Sequence, residues 1–236
     1  MHPTRRNLLL TLLTLPAGCA IQPLAQLRTS PVAAPAPQPA WQPPQPGRSW
    51  TYSKFNFFNS QLLAVERELV LSVEPHGVVV RRQEVNGQEL PNEIHQRWGS
   101  LLRDPVWDYP LNFDTAVPLW PERLVVGAAQ SIHTHYRQDG GSYRSWIQVH
   151  SVVRGWERVQ LPVGEFDCLK VERMIRMQHH DPSRLETVRK DLMWLAPEVG
   201  RWVARETSGR YTLPEDRFLL DDYLEDHFRW ELTGWT

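Results

Sequence analysis

Most of what usually announces a function is missing from these 236 residues. Cysteine is nearly absent: Cys19 and Cys168 are the only two, and no Cys-x-x-Cys pair occurs. Charge of one sign is absent as well, with 26 Lys and Arg against 27 Asp and Glu. No basic excess points to nucleic acid, and no acidic tail is present. No apolar run approaches the ~20 residues that a membrane-spanning helix needs. Gly-x-Ser-x-Gly, His-Glu-x-x-His and phosphate-loop patterns do not occur. The sequence therefore assigns no catalytic residue, no cofactor and no metal site, and it points away from an enzyme.

What is present begins at the N-terminus. Arg5 and Arg6 precede an apolar run, Leu8 to Leu15, interrupted only by threonines and followed by Pro16-Ala17-Gly18-Cys19. This is the anatomy of an export signal over residues 1–18. Ala17-Gly18-Cys19 resembles the lipobox of bacterial lipoproteins, in which Cys19 would carry lipid and begin the mature chain; Pro16 stands where Leu is usual. An ordinary cleavage near Ala20 is the alternative. Thr4-Arg5-Arg6-Asn7-Leu8-Leu9 resembles a twin-arginine export motif, the alternative being a plain basic leader. The resemblance implies a membrane attached through lipid on Cys19, facing the periplasm. Ala20 is not the aspartate that retains such proteins at the inner membrane, which points to the outer membrane.

Residues 19–47 hold eight of the 20 prolines, and alanine is the commonest apolar residue among them. The composition predicts an extended tether without strand or core. From residue 48 to 236 the chain alternates polar and apolar residues between turn signals, the pattern of antiparallel strands. Val65, Leu69, Leu71 and Val73 share one face of a strand, with Glu66 and Glu68 on the other. Leu169, Val171, Ile175 and Met177 share another, with Arg173 as an exception. Asn86-Gly87 and Asp139-Gly140-Gly141 are hairpin signals. The count is about eleven strands, with short helical turns expected at Ser100–Asp104 and Pro214–Tyr223. Gly99 to Arg123 reads as a long irregular stretch. Lone Cys168 reads as a small buried hydrophobe.

Three segments carry a second resemblance: Gly47-Arg-Ser-Trp50-Thr-Tyr52, Leu161-Pro-Val-Gly164-Glu-Phe166-Asp-Cys-Leu169-Lys-Val171, and Trp194-Leu-Ala-Pro-Glu-Val-Gly200-Arg-Trp-Val203. They resemble uncharacterised bacterial envelope lipoproteins of the DUF3108-like kind, loosely similar to the LolA and LolB carriers. The resemblance implies an all-β domain, a single curved antiparallel sheet forming an open or half barrel. Its concave face would bind an apolar ligand or an envelope partner, with Trp107 and Trp120 as candidate covers. A purely structural role, pairing with other envelope proteins, is the second reading. The third is a metal-dependent envelope enzyme using His133 and His135, which share one face of a strand. A tetrahedral metal site needs further ligands, and the register set by Asp139-Gly140 puts Trp146 near His133 and His150 opposite Gln130. The acidic run Asp221-Asp222 with Glu225-Asp226 reads as solvated surface.

Overall fold

The computed structural model describes residues 23–107, 109–214 and 222–236; Cys19 and Asp221 lie outside them. The described residues form thirteen strands and no helix. Twelve strands run up and down in chain order: β2 (Ser49–Asn56), β3 (Leu62–Glu74), β4 (Gly77–Glu84), β5 (Glu89–Arg97), β6 (Ser100–Asp104), β7 (Leu111–Pro118), β8 (Ala129–Gln138), β9 (Ser145–Leu161), β10 (Gly164–Met177), β11 (Glu186–Ala196), β12 (Arg201–Thr212) and β13 (Tyr223–Trp235). Each pairs antiparallel with the next, and β13 returns to β2, with Leu232 opposite Tyr52 and Trp230 opposite Lys54.

The sheet is therefore a closed barrel, not an open or half barrel of about eleven strands. Two of the added strands come from Gly99–Arg123, where prolines suggested irregular chain. Pro105 and Pro110 bound the β6–β7 connection and Pro118 ends β7, so these prolines occupy strand ends, where a missing N–H is tolerated. Ser100–Asp104 is strand β6 and not a helical turn; most of the other expected turn, 215–221, lies outside the described residues. Gly155 does not break β9 either: the register slips at Arg154, and one 17-residue strand continues to Leu161.

The thirteenth strand corrects the expectation that residues 19–47 hold no strand. β1 (Arg28–Pro31) pairs with β9 over Glu157–Gln160, on the stretch of that edge beyond β8. The chain around it is docked too. Leu24 N donates to the Phe57 carbonyl, Arg229 Nη2 to the Ala25 carbonyl and Gln42 N to the Pro197 carbonyl. Leu27, Val32 and Trp41 pack against the core. Gly200, in the left-handed region at φ 70°, leaves room for the Gln42 carbonyl that any side chain would strike.

Because the strands alternate in direction, their connections alternate between two ends. The connections before β4, β6, β8, β10 and β12 make the Trp98 end; those before β3, β5, β7, β9, β11 and β13 make the Phe58 end. Burial alternates along the strands, but not with the polarity expected for β3. Glu66, Glu68 and Val70 are the buried set, while Leu71 and Val73 are exposed. On β10 the exception Arg173 is buried together with Val171 and Ile175.

Candidate functional site

An eight-stranded barrel is just filled by its own side chains, and diameter grows with strand number. Twelve strands leave a wider lumen, which this chain fills with long side chains. Arg173, Arg201, Trp50, Tyr52 and Tyr136 are among its largest fully buried groups. Burying charges is costly unless they are paired, and here they are.

One chain of ion pairs crosses the barrel between β2–β5 and β12. Lys54 lies 3.8 Å from Glu66, and Arg82 Nη2 donates to Glu66 at 2.6 Å. Arg82 also faces Glu68, whose other oxygen is 2.6 Å from Arg201 Nε. Arg201 Nη2 donates to Glu93 at 2.9 Å, and Glu93 bonds His95 Nε2 at 2.6 Å. Burial opposes ionisation of Glu93, but Arg201 and His95 outweigh it and hold the carboxyl far below its usual range. For Glu68 burial wins, and its value is raised despite Arg201. Tyr52, buried beside Glu68, is pushed well above its ordinary value by burial first and by that carboxylate second. A second cluster joins β10, β11 and β12: Arg173 Nη1 and Arg205 Nη2 both donate to Asp191 Oδ2 at 2.8 Å. The two arginines outweigh burial and hold Asp191 at about 2.

At the Trp98 end the Arg201 guanidinium sits 5.3 Å from the Trp50 ring, 5.2 Å from Trp98 and 5.5 Å from Trp202, within cation–π range. Trp50 Nε1 donates to the Val199 carbonyl and Trp98 Nε1 to the Gly200 carbonyl, so the 197–200 turn is pinned over the lumen. Trp120 stands edge-on to Trp98 and is 8% exposed. It lies against Gly99, whose φ of 84° and missing Cβ admit the indole.

The Phe58 end is different. Arg184 and Arg189 both donate to Glu225, and the Arg189 guanidinium lies 4.6 Å over Trp107. Beneath this group a cavity of about 20 Å³, lined by residues including Trp107, Leu111 and Met177, has room for one water. Beside it, Tyr143, Gln178, His179, His180, Arg184 and Leu185 line an open cleft of about 500 Å³.

Trp107 and Trp120 are not brought together: β7 runs between them, and they belong to opposite ends. His133 and His135 do share a face, with ring centroids 5.9 Å apart and Trp146 at 6.5 Å from His133. His150 pairs with Ser131, one residue from the expected Gln130, and accepts or donates a 2.7 Å bond with its hydroxyl. No group of three metal-ligating side chains occurs among the described residues. Glu225, read as solvated, is 7% exposed at its side chain and doubly ion-paired. Cys168 is fully buried and its thiol is pushed well up, chiefly by burial. The interior ion pairs were missed because Glu66 and Glu68 follow the alternation expected of an outer face, while Arg173 stood as a lone charge on an apolar face.

No protein-family profile and no curated protein matches the chain. Among solved structures it is similar to a Bacteroides fragilis protein of YmcC-like fold, inferred to be exported: TM-score 0.52, 16% identity, 84% of this chain and 99% of that one. It is similar to an inferred lipoprotein from Parabacteroides distasonis as well: TM-score 0.51, 14% identity, again 84% and 99%. At such identity the likeness is one of fold. Neither of these two proteins is described as DUF3108-like or as LolA or LolB.

Proposed function

We propose that the chain is a cell-envelope lipoprotein, anchored through Cys19 and facing the periplasm, whose barrel is a rigid scaffold that pairs with another envelope component. The observation that carries this reading is the filled lumen. A carrier of an apolar guest needs an apolar, mostly empty cavity, and here the lumen is occupied by Arg201, Arg173, Asp191, Glu93 and their neighbours. The descriptions of the two solved proteins of this fold, one exported and one a lipoprotein, support the envelope assignment. Export by the twin-arginine route and residence in the outer membrane are part of the proposal, resting on Arg5-Arg6 and Ala20.

Pairing would use the outer wall. β1 is exposed along its whole length and offers the edge that does not face β9, the kind of edge that accepts a further strand. A photo-cross-linking residue at Thr29, with Lys190 on β11, two strands beyond β9, as control, tests this in intact cells. A discrete adduct from position 29 and none from 190 is expected. No adduct from either position contradicts the assembly role.

A further inference from the structure

The Phe58 end carries an apolar rim. In the β2–β3 hairpin Phe58 is 44% exposed, Leu62 51% and Leu63 42%; Val85 and Tyr143 stand exposed on other connections of the same end, and Leu224 at the start of β13. Solvent-exposed apolar groups gathered at one end of a molecule mark a contact surface. The rim's own hairpin also holds the chain that leads back to Cys19. Leu24 N donates to the Phe57 carbonyl, and the Ala25 carbonyl is fixed by Arg229. Leu24 is five Cα steps from Cys19. At a maximum of about 3.6 Å per residue, Cys19 stays within about 18 Å of Leu24. The chain from Leu24 to Arg28 also borders the β9–β10 connection, in one groove with Leu161, Pro162 and Gly164, but its backbone is bonded to the hairpin at Phe57. Leu71, Val73, Val125 and Val126 are exposed toward the Trp98 end, but the bonds of Leu24 and Ala25 go to Phe57 and Arg229.

We propose that the β2–β3 hairpin is a membrane-contact element: the lipid on Cys19 and the side chains of Phe58, Leu62 and Leu63 enter one bilayer surface together. The barrel then stands on its Phe58 end with its wall and β1 turned to the periplasm. The contact is apolar and interfacial: acidic groups of this end are already paired, Glu225 with Arg184 and Arg189 and Asp222 with Arg210, and the exposed apolar side chains carry it. This deepens the anchoring reading above and rests on it.

The test uses the full chain in phosphatidylcholine vesicles containing nitroxide-labelled lipid. Cys168 is buried, so one introduced cysteine at a time can take an environment-sensitive fluorophore: Gln61→Cys in the hairpin, Val126→Cys at the other end. Quenching at position 61 and none at 126 is expected, with the quenching at 61 lost in a Phe58→Ser/Leu62→Ser/Leu63→Ser background whose melting temperature is unchanged. Vesicle-bound protein with both positions quenched alike, or neither, overturns the contact while leaving the anchor intact. Protein that does not float with the vesicles at all overturns both.

Discussion

At one end of the barrel Trp50, Trp98 and Trp202 close around the Arg201 guanidinium and the 197–200 turn covers them. At the other, Phe58, Leu62 and Leu224 stand in solvent while Arg189, Trp107 and Glu225 form a looser group around a small cavity. Arginine, carboxylate and aromatic rings are used at both ends. What differs is whether backbone covers them. The Trp98 end receives two covers, the Pro197–Gly200 turn and the docked Gln42 segment, and its polar groups are spent on one another. The Phe58 end keeps exposed apolar surface at Phe58, Leu62, Leu63 and Leu224. In the proposed reading, stability belongs to the first end and contact to the second.

The contrast makes the sharpest prediction at Arg201. Its replacement by Met leaves Glu68 and Glu93 buried without the cation between them, and breaking a buried pair in this way costs about 3 to 5 kcal/mol. Denaturant unfolding should show that loss; a change under about 1 kcal/mol, ordinary for any substitution, would remove the distinction between the ends.

Removing the chain before Gly47 tests the cover from the other side. β1, Leu27, Val32 and Trp41 all dock, and burying one large apolar side chain contributes about 1.5 to 3 kcal/mol. A chain starting at Gly47 should lose about 3 kcal/mol on that scale. One that melts unchanged would restore the segment to a plain tether.

Acid should act on the interior before the rim. Asp191 is held at about 2, below its ordinary 3.8. A lowered carboxyl stabilises the fold above the unfolded value, and that contribution is lost as pH falls through the folded value. Asp191 should therefore contribute about 2 kcal/mol at pH 5, lost between about pH 4 and pH 2. Glu93, held lower still, adds to the same loss. Glu68, raised by burial, acts in the opposite sense: protonating it on acidification relieves a cost. Stability measured against pH should fall over that window in the parent chain and fall less in Asp191→Asn, which is itself less stable at neutral pH. A parallel curve for the variant would contradict the assignment.

The smallest effect belongs to the rim. Phe58→Ser changes an exposed side chain and should shift stability by no more than about 0.5 kcal/mol. A larger loss would mean that the hairpin is part of the fold's core and not free surface.

Much of the architecture was legible. Alternation marked β2, β3, β4 and β8 through β13, and Asn86-Gly87 and Asp139-Gly140 placed two hairpins. Closure was not legible, because it depends on β13 meeting β2 across the whole chain, and no local pattern encodes that pairing. β1 was hidden by its prolines: only Pro31 lies within it, and the others fall where no ladder bond is required. The interior was misjudged for a physical reason. Glu66 and Glu68 alternate with apolar residues as an outer face would, and only the partners Arg82 and Arg201, from distant strands, make their burial tolerable. The rim was invisible because Phe58, Leu62 and Leu63 read as ordinary strand and turn residues until the hairpin's position beside Leu24 was known.

Native mass spectrometry of the gently purified full chain tests the filled barrel most directly. The account predicts a mass equal to the mature chain with the lipid carried on Cys19 and nothing more. A second apolar molecule bound in one-to-one ratio, and retained when the Cys19 lipid is removed, would show that the lumen opens to a guest and would contradict the scaffold reading.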